Sequence, residues 1–182
     1  LILAPALLVT SIGGTDLALE TDNSIGMESV WSTYATQPSQ GVGSGGGPSA
    51  RWSRPGFQTS PGIGPELQPG KQTRLAPDLA AMASFTPGLS VYDSGDSGWG
   101  VGGGTSAATP LTAAMVALTL QQEHAAGRPN LGSLPPLLYG LGRGLGYQAI
   151  FSDVTEGTSS RKPKSAAGQK PSGGQAQFGY DM

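Results

Sequence analysis

Gly102-Gly-Gly-Thr-Ser106-Ala-Ala-Thr-Pro110 is the stretch whose residue types and spacing come nearest to chemistry. A glycine-rich turn delivers one serine to the start of a long apolar run, which reads as a helix from residue 106 to about residue 126. At a helix N-terminus the unpaired amides and the positive end of the dipole can stabilise a developing oxyanion. Ser106 is therefore the candidate nucleophile, with an ordinary N-cap serine as the plainer reading. Such a serine needs a base within hydrogen-bonding reach. The only histidine, His124, lies 18 residues further along the same helix. At about 1.5 Å per residue it stands about 27 Å from Ser106 and cannot serve it. Any base must be a carboxylate or come from outside this sequence. Gly95-Asp96-Ser97-Gly98 matches the nucleophile motif of chymotrypsin-like proteases, but no histidine precedes it. A turn between two short strands explains Asp96 and Ser97 more simply.

Asp153-Val154, with Gly179 and Asp181, is the other constellation. Carboxylates joined by backbone carbonyls suit a hard cation such as calcium, which takes about six to eight oxygens. Loop capping is the plainer reading of two aspartates 28 residues apart. Lys162, Lys164 and Lys170 lie between them and would repel a cation if they folded inward.

The elements that must position these residues follow from local patterning. Residues 1–9 are apolar, too short to span a membrane, and read as a buried strand that runs into a Gly13-Gly14 turn. Residues 18–40 read as polar and irregular apart from Val30-Trp31. The glycine-rich residues 41–48 suit either a linker or a loop that a ligand's backbone approaches closely. Residues 74–83 suggest a turn leading into a short buried helix, and residues 89–92 and 99–101 two short strands. The helix after Ser106 is apolar nearly all round in its first half, Pro110 included, which predicts burial. Residues 134–141 form a second helix with Pro135 and Pro136 in its first turn. Residues 158–177 are Ser/Gly/Lys-rich and predict an exposed loop.

The bulk numbers set limits on the rest. The chain has 182 residues, 30 Gly, 15 Pro and only 12% charged residues, room for one domain or part of a larger one. Its net charge of -2 implies no general attraction to nucleic acid. No cysteine is present, so disulfides, thiolate catalysis and Cys-type zinc sites are excluded. Both ends read as cuts.

Taken in order, five segments resemble the sedolisin, or serine-carboxyl peptidase, family over nearly the whole chain. They are Val9-Thr-Ser-Ile-Gly-Gly-Thr15; Glu28-Ser-Val-Trp31 with Gly45-Gly-Gly47; Ala76-Pro-Asp-Leu-Ala80; Gly103-Gly-Thr-Ser106-Ala107 with Pro110; and Asp153-Val154 with Gly179-Tyr-Asp181. The resemblance implies an α/β, subtilisin-like fold that is incomplete, with residues 1–182 as the C-terminal part of the peptidase domain. It implies hydrolysis of peptide bonds at acidic pH, with Ser106 as nucleophile. In that family a glutamate replaces histidine as the base, assisted by one aspartate, while a second aspartate helps hold the oxyanion. These carboxylates belong to the family's N-terminal half, before the segment like Val9–Thr15. A carboxylate base stays ionised where histidine would be protonated. The resemblance further implies one calcium ion held by Asp153, Val154, Gly179 and Asp181, a secreted enzyme, and a protein or peptide substrate. The partners it implies are the N-terminal half of the same domain and a pro-segment. Gln177 stands where the family usually has glycine, and the family's glycine-rich ending beyond Asp181 is absent. The reading from a different class is a non-catalytic calcium-binding module that keeps the fold.

Overall fold

Among the described residues, seven strands and three α-helices follow one another. They are β1 (Ile12–Leu19), β2 (Ile25–Val30), β3 (Gly47–Ser53), β4 (Thr73–Ala76), β5 (Leu79–Met82), β6 (Leu89–Asp93), β7 (Gly98–Gly102), α1 (Thr105–Ala125), α2 (Leu134–Gly142) and α3 (Tyr147–Ile150). This computed structural model describes residues 8–34, 36, 37, 41–59, 72–144 and 146–159. β1 is the middle strand of a three-stranded mixed sheet in the order β2-β1-β5. It runs antiparallel to β2, with Thr15 opposite Val30, and parallel to β5, with Ile12 opposite Leu79 and Thr15 opposite Met82.

α1 packs across β1 and β5, and the residues at the contact are small. Ala108 and Thr112 are buried there, and the Thr112 hydroxyl donates to the Ala108 carbonyl at 2.9 Å, so the helix can lie close without leaving a polar atom unpaired. Trp31, Ala83 and Ala108 form the core of this layer, with Ile12 and Ala81 against them.

β3 and β4 form a second, two-stranded unit. It is joined to α2 through Gln58, which is fully buried. The Gln58 side chain donates to the Leu75 carbonyl at 3.0 Å and to the Tyr139 hydroxyl at 2.5 Å, and accepts from the Leu75 amide at 2.9 Å. A buried amide that meets three partners fixes its neighbours more strictly than apolar contact alone.

Several sequence expectations hold. β6 and β7 are a hairpin, with Leu89 opposite Gly102 and Asp93 opposite Gly98, and α2 begins with its prolines in the first turn.

Others are corrected. Gly13 and Gly14 lie inside β1 rather than in a turn, because neighbouring side chains occupy the space a Cβ would need. Residues 25–30, read as irregular, pair with β1 as β2. Residues 79–82, read as helix, form β5, since pairing with β1 outweighs the helical propensity of Leu and Ala. α1 is buried on one side only: Met115, Leu118 and Pro110 are exposed. Leu8 and Val9 are exposed rather than part of a buried strand, and residues 1–7 lie outside the described residues. Of the loop expected over 158–177, Thr158 is exposed and Ser159 buried, and the remainder lies outside the described residues.

Candidate active site

Gly104 is the N-cap of α1 and has φ 78 and ψ 170. That region is essentially open to glycine alone, so the sequence Gly103-Gly104-Thr105 is what lets the chain reverse from β7 into the helix. The Gly104 amide donates to the Ala83 carbonyl at 2.6 Å, at the end of β5. Its own carbonyl accepts from Ala107 at 2.9 Å and from Ala108 at 3.2 Å. The amides of Thr105 and Ser106 stand in the first turn of α1, where a helix offers its donors no intrahelical acceptor.

Ser106 is the second residue of α1 and is exposed. Among the described residues its hydroxyl has no hydrogen-bond partner. Pro110, one turn along, has no N–H to give to the Ser106 carbonyl, whereas Thr105 keeps its carbonyl occupied by the Thr109 hydroxyl at 2.8 Å. The site therefore presents a hydroxyl, two first-turn amides and a carbonyl that Pro110 cannot serve on one short stretch of backbone. Such a stretch can support attack on an acyl group if a base is brought to it.

Trp31 joins this turn to the glycine-rich loop. Its amide donates to the Gly14 carbonyl at 3.1 Å, and its carbonyl accepts from the Ser44 amide at 2.9 Å. The Ser44 hydroxyl accepts in turn from the Gly14 amide at 3.0 Å. Its ring is buried beneath Gly104 and tilts against Phe85, with ring centres 6.3 Å apart. Residues 41–48 are thus a loop pinned to β1 and not a linker. Beyond the pin, a Cβ added at Gly45 would meet nothing within 4 Å, so that backbone is open to an approaching chain.

Asp78, quoted above for its motif, does structural work. Its side chain and that of Arg74 are fully buried and paired at 2.5 Å, and Asp78 also accepts from the Ser11 amide at 2.8 Å. This ties the entry of β1 to the β4–β5 corner, from which β5 leads on to Ala83. Sequence reasoning missed the pairing, although an Arg and an Asp four residues apart in an apolar stretch are a usable sign of it.

The other candidates separate. Ser97 sits in the β6–β7 turn with φ 65, beside an Asp93 carboxylate that accepts from the Gly95 amide at 2.8 Å. The turn explains the motif. His124 is exposed, 2.6 Å from the Asn130 side-chain oxygen. Asp153 is half-buried and accepts from the Tyr147 hydroxyl at 3.2 Å, with Val154 half-buried beside it. Gly179 and Asp181 lie outside the described residues. Asp153 and the Val154 carbonyl are hard oxygen donors of the kind calcium prefers, and they fit such an ion in chemistry. Among the described residues no three His, Cys, Asp or Glu side chains gather as a metal cluster. No described helix is long and apolar enough to cross a membrane.

A helix laid over a mixed sheet, with a serine at its glycine-led N-terminus, makes this an incomplete α/β fold of the subtilisin type. The chain matches a solved structure of Pseudomonas sedolisin, a serine-carboxyl proteinase complexed with two molecules of pseudo-iodotyrostatin, with a TM-score of 0.75 at 23% identity. The match covers 98% of this chain and 43% of that one. No family model matches. Among curated proteins, kumamolisin from a Bacillus species is 35% identical over 152 residues, 83% of this chain. Tripeptidyl-peptidase SED3 of Arthroderma otae is 34% identical over 140 residues, 72% of this chain. The chain spans 25% and 22% of the lengths of those two relatives. It belongs to the sedolisin family of serine-carboxyl peptidases.

Proposed function

We propose that this chain carries the nucleophile of an acid-active serine-carboxyl endopeptidase. Ser106 Oγ attacks the scissile carbonyl while a carboxylate from outside this chain takes its proton. A tetrahedral intermediate forms, and the same carboxyl then returns the proton to the departing amine, which breaks the C–N bond. Water hydrolyses the acyl-enzyme by the same route in reverse. The oxyanion lies toward the start of α1, and residues 102–104 and 45–47 frame the cleft for a protein or peptide substrate. The remaining half of the domain supplies the base and the second aspartate, and a pro-segment accompanies folding. The enzyme is secreted, and calcium bound by Asp153, Val154, Gly179 and Asp181 tethers the C-terminal loops.

The observation that carries this reading is the exposed Ser106 hydroxyl in the first turn of α1, on a turn whose Gly104 backbone only glycine adopts without strain. The family relationship with kumamolisin supports it. The 182-residue chain by itself is inactive in this account, because no described residue serves as base. The test is a peptide-cleavage assay of the purified chain at about pH 4, where a glutamate is part-ionised and a histidine protonated. No turnover is expected. Cleavage that disappears on Ser106→Ala would show that this chain holds its own base and would refute the assignment of that role to the missing half.

A further inference from the structure

Glu28-Ser-Val-Trp31 has no task in the proposed reaction, yet its buried tryptophan meets both walls of the cleft. The backbone of Trp31 serves one wall. Its carbonyl accepts from the Ser44 amide at 2.9 Å, and the Ser44 hydroxyl accepts from the Gly14 amide at 3.0 Å, so residues 45–47 start from a clamped residue. The ring serves the other wall. A Cβ added to Gly14 would stand 3.1 Å from ring atom Cε3 and 3.4 Å from the Thr105 methyl. One added to Gly104 would stand 3.8 Å from ring atom Cη2. The ring therefore runs from Gly14 to the turn, and Thr105, the residue before Ser106, shares the space that Gly14 leaves open. A Cβ on Gly103 would stand 2.8 Å from the ring of Phe85, against which Trp31 tilts. Gly103 and Gly104 thus lie on two adjoining rings.

We propose that Trp31 is a positioning residue with two separate tasks. Its ring sets where Ser106 stands, and its carbonyl sets where the backbone of residues 45–47 meets a substrate chain. This rests on the peptidase reading above and deepens it by dividing the two tasks between two parts of one residue. A close-packed interior transmits a displacement rather than absorbing it. Withdrawing the outer ring atoms from beneath Gly104 lets the turn shift, and misplacing a reacting atom by about 1 Å can cost about a hundredfold in rate. Removing the Ser44 hydroxyl instead leaves the Gly14 amide without its acceptor and unclamps the loop, while the ring stays in place. The first change acts on the chemical step and the second on substrate binding.

Steady-state kinetics of a complete peptidase domain containing this chain separate the two tasks. Trp31→Phe keeps the backbone hydrogen bonds of residue 31 and shortens the ring. It should lower kcat at least about tenfold and leave KM within about threefold. Ser44→Ala should raise KM at least about fivefold with kcat within about threefold, and Ser44→Thr, which keeps a hydroxyl, should recover most of that loss. Hydrogen exchange in the full chain gives a readout that needs no activity. Trp31→Phe should speed exchange at the Gly104 amide at least about tenfold, and Ser44→Ala should do the same at the Gly14 amide. A domain that cleaves no peptide in its unaltered form overturns the peptidase reading and the kinetic claim with it, while the exchange result still decides whether Trp31 holds both walls. With an active domain, a Trp31→Phe variant whose kcat stays within about threefold, variants that change kcat and KM alike, or unchanged exchange at both amides would each overturn the proposal.

Discussion

A Cβ placed on Gly14 would stand 2.6 Å from the methyl carbon of Ala83. No real pair of carbons tolerates that distance, and the contact sets how closely β1 and the end of β5 approach. Ala83 is the residue whose carbonyl holds Gly104, so this contact also fixes the height of the nucleophile turn above the sheet. Gly14→Ala should cost about 1–3 kcal/mol as an overpacking change. Chemical denaturation of the full chain reads it, and a loss below about 0.5 kcal/mol, the range of ordinary surface changes, would remove the argument.

Gly104 makes a second, separate demand. With φ 78 and ψ 170 it occupies backbone space that a Cβ makes strained, so Gly104→Ala should cost about 1–3 kcal/mol. The nearest atoms to that Cβ are 3.8 Å away, so the loss is one of backbone strain and not of crowding. Gly104→Ser should therefore destabilise to the same extent as Gly104→Ala, which thermal unfolding of the two variants can compare.

The Arg74–Asp78 pair has both side chains fully buried. Asp78→Ala leaves a buried guanidinium without its carboxylate and should cost about 3–5 kcal/mol. The double variant Arg74→Met, Asp78→Leu should recover most of that loss, because a well-packed apolar pair is close to neutral in such places. Equal destabilisation in the single and double variants would show that the Ser11 hydrogen bond, rather than the charge pair, matters most.

Near the C-terminal end of α1 the carboxylate of Glu123 meets Arg128 through two hydrogen bonds, one of them 2.7 Å. The Arg128 side-chain hydrogen bond holds the Glu123 carboxyl below its ordinary value of 4.5. A depressed carboxylate pKa contributes stability that is complete above its ordinary value and is lost as pH falls through its value in the folded state. The tie is thus kept through mildly acidic conditions and released only below about pH 4.5. Because the pair is exposed, the effect is small and screened by salt. Glu123→Gln should lower the neutral plateau slightly, at low ionic strength, and leave stability at the acid end unchanged, so that the acid limb flattens.

What was legible in the sequence was whatever local chemistry specifies. The glycine-led turn into α1, the hairpin around Gly95-Asp96-Ser97-Gly98 and the proline-started α2 all follow from residues within one turn of each other. What was not legible depends on distant partners. Leu79-Ala-Ala-Met82 favours helix by propensity and becomes a strand only because β1 lies beside it. Gly13 and Gly14 look like a turn until Pro77 and Ala83 are seen at their Cα atoms. Ile25 and Met27 point to solvent, so β2 shows no apolar face from which a strand could be read. The role of Trp31 as the link between Gly14, Ser44 and Gly104 is equally hidden, since nothing local announces it.

The central claim is that Ser106 is the nucleophile of a peptidase whose base lies outside this chain. The most direct test is peptide cleavage by a complete peptidase domain containing this chain, at about pH 4, with and without Ser106→Ala. The account predicts turnover by the unaltered protein and a loss of at least about a thousandfold on Ser106→Ala, in keeping with what removal of a nucleophilic serine does elsewhere. Activity of the variant within about tenfold of the unaltered protein would contradict it, since a nucleophile cannot be spared at so small a loss.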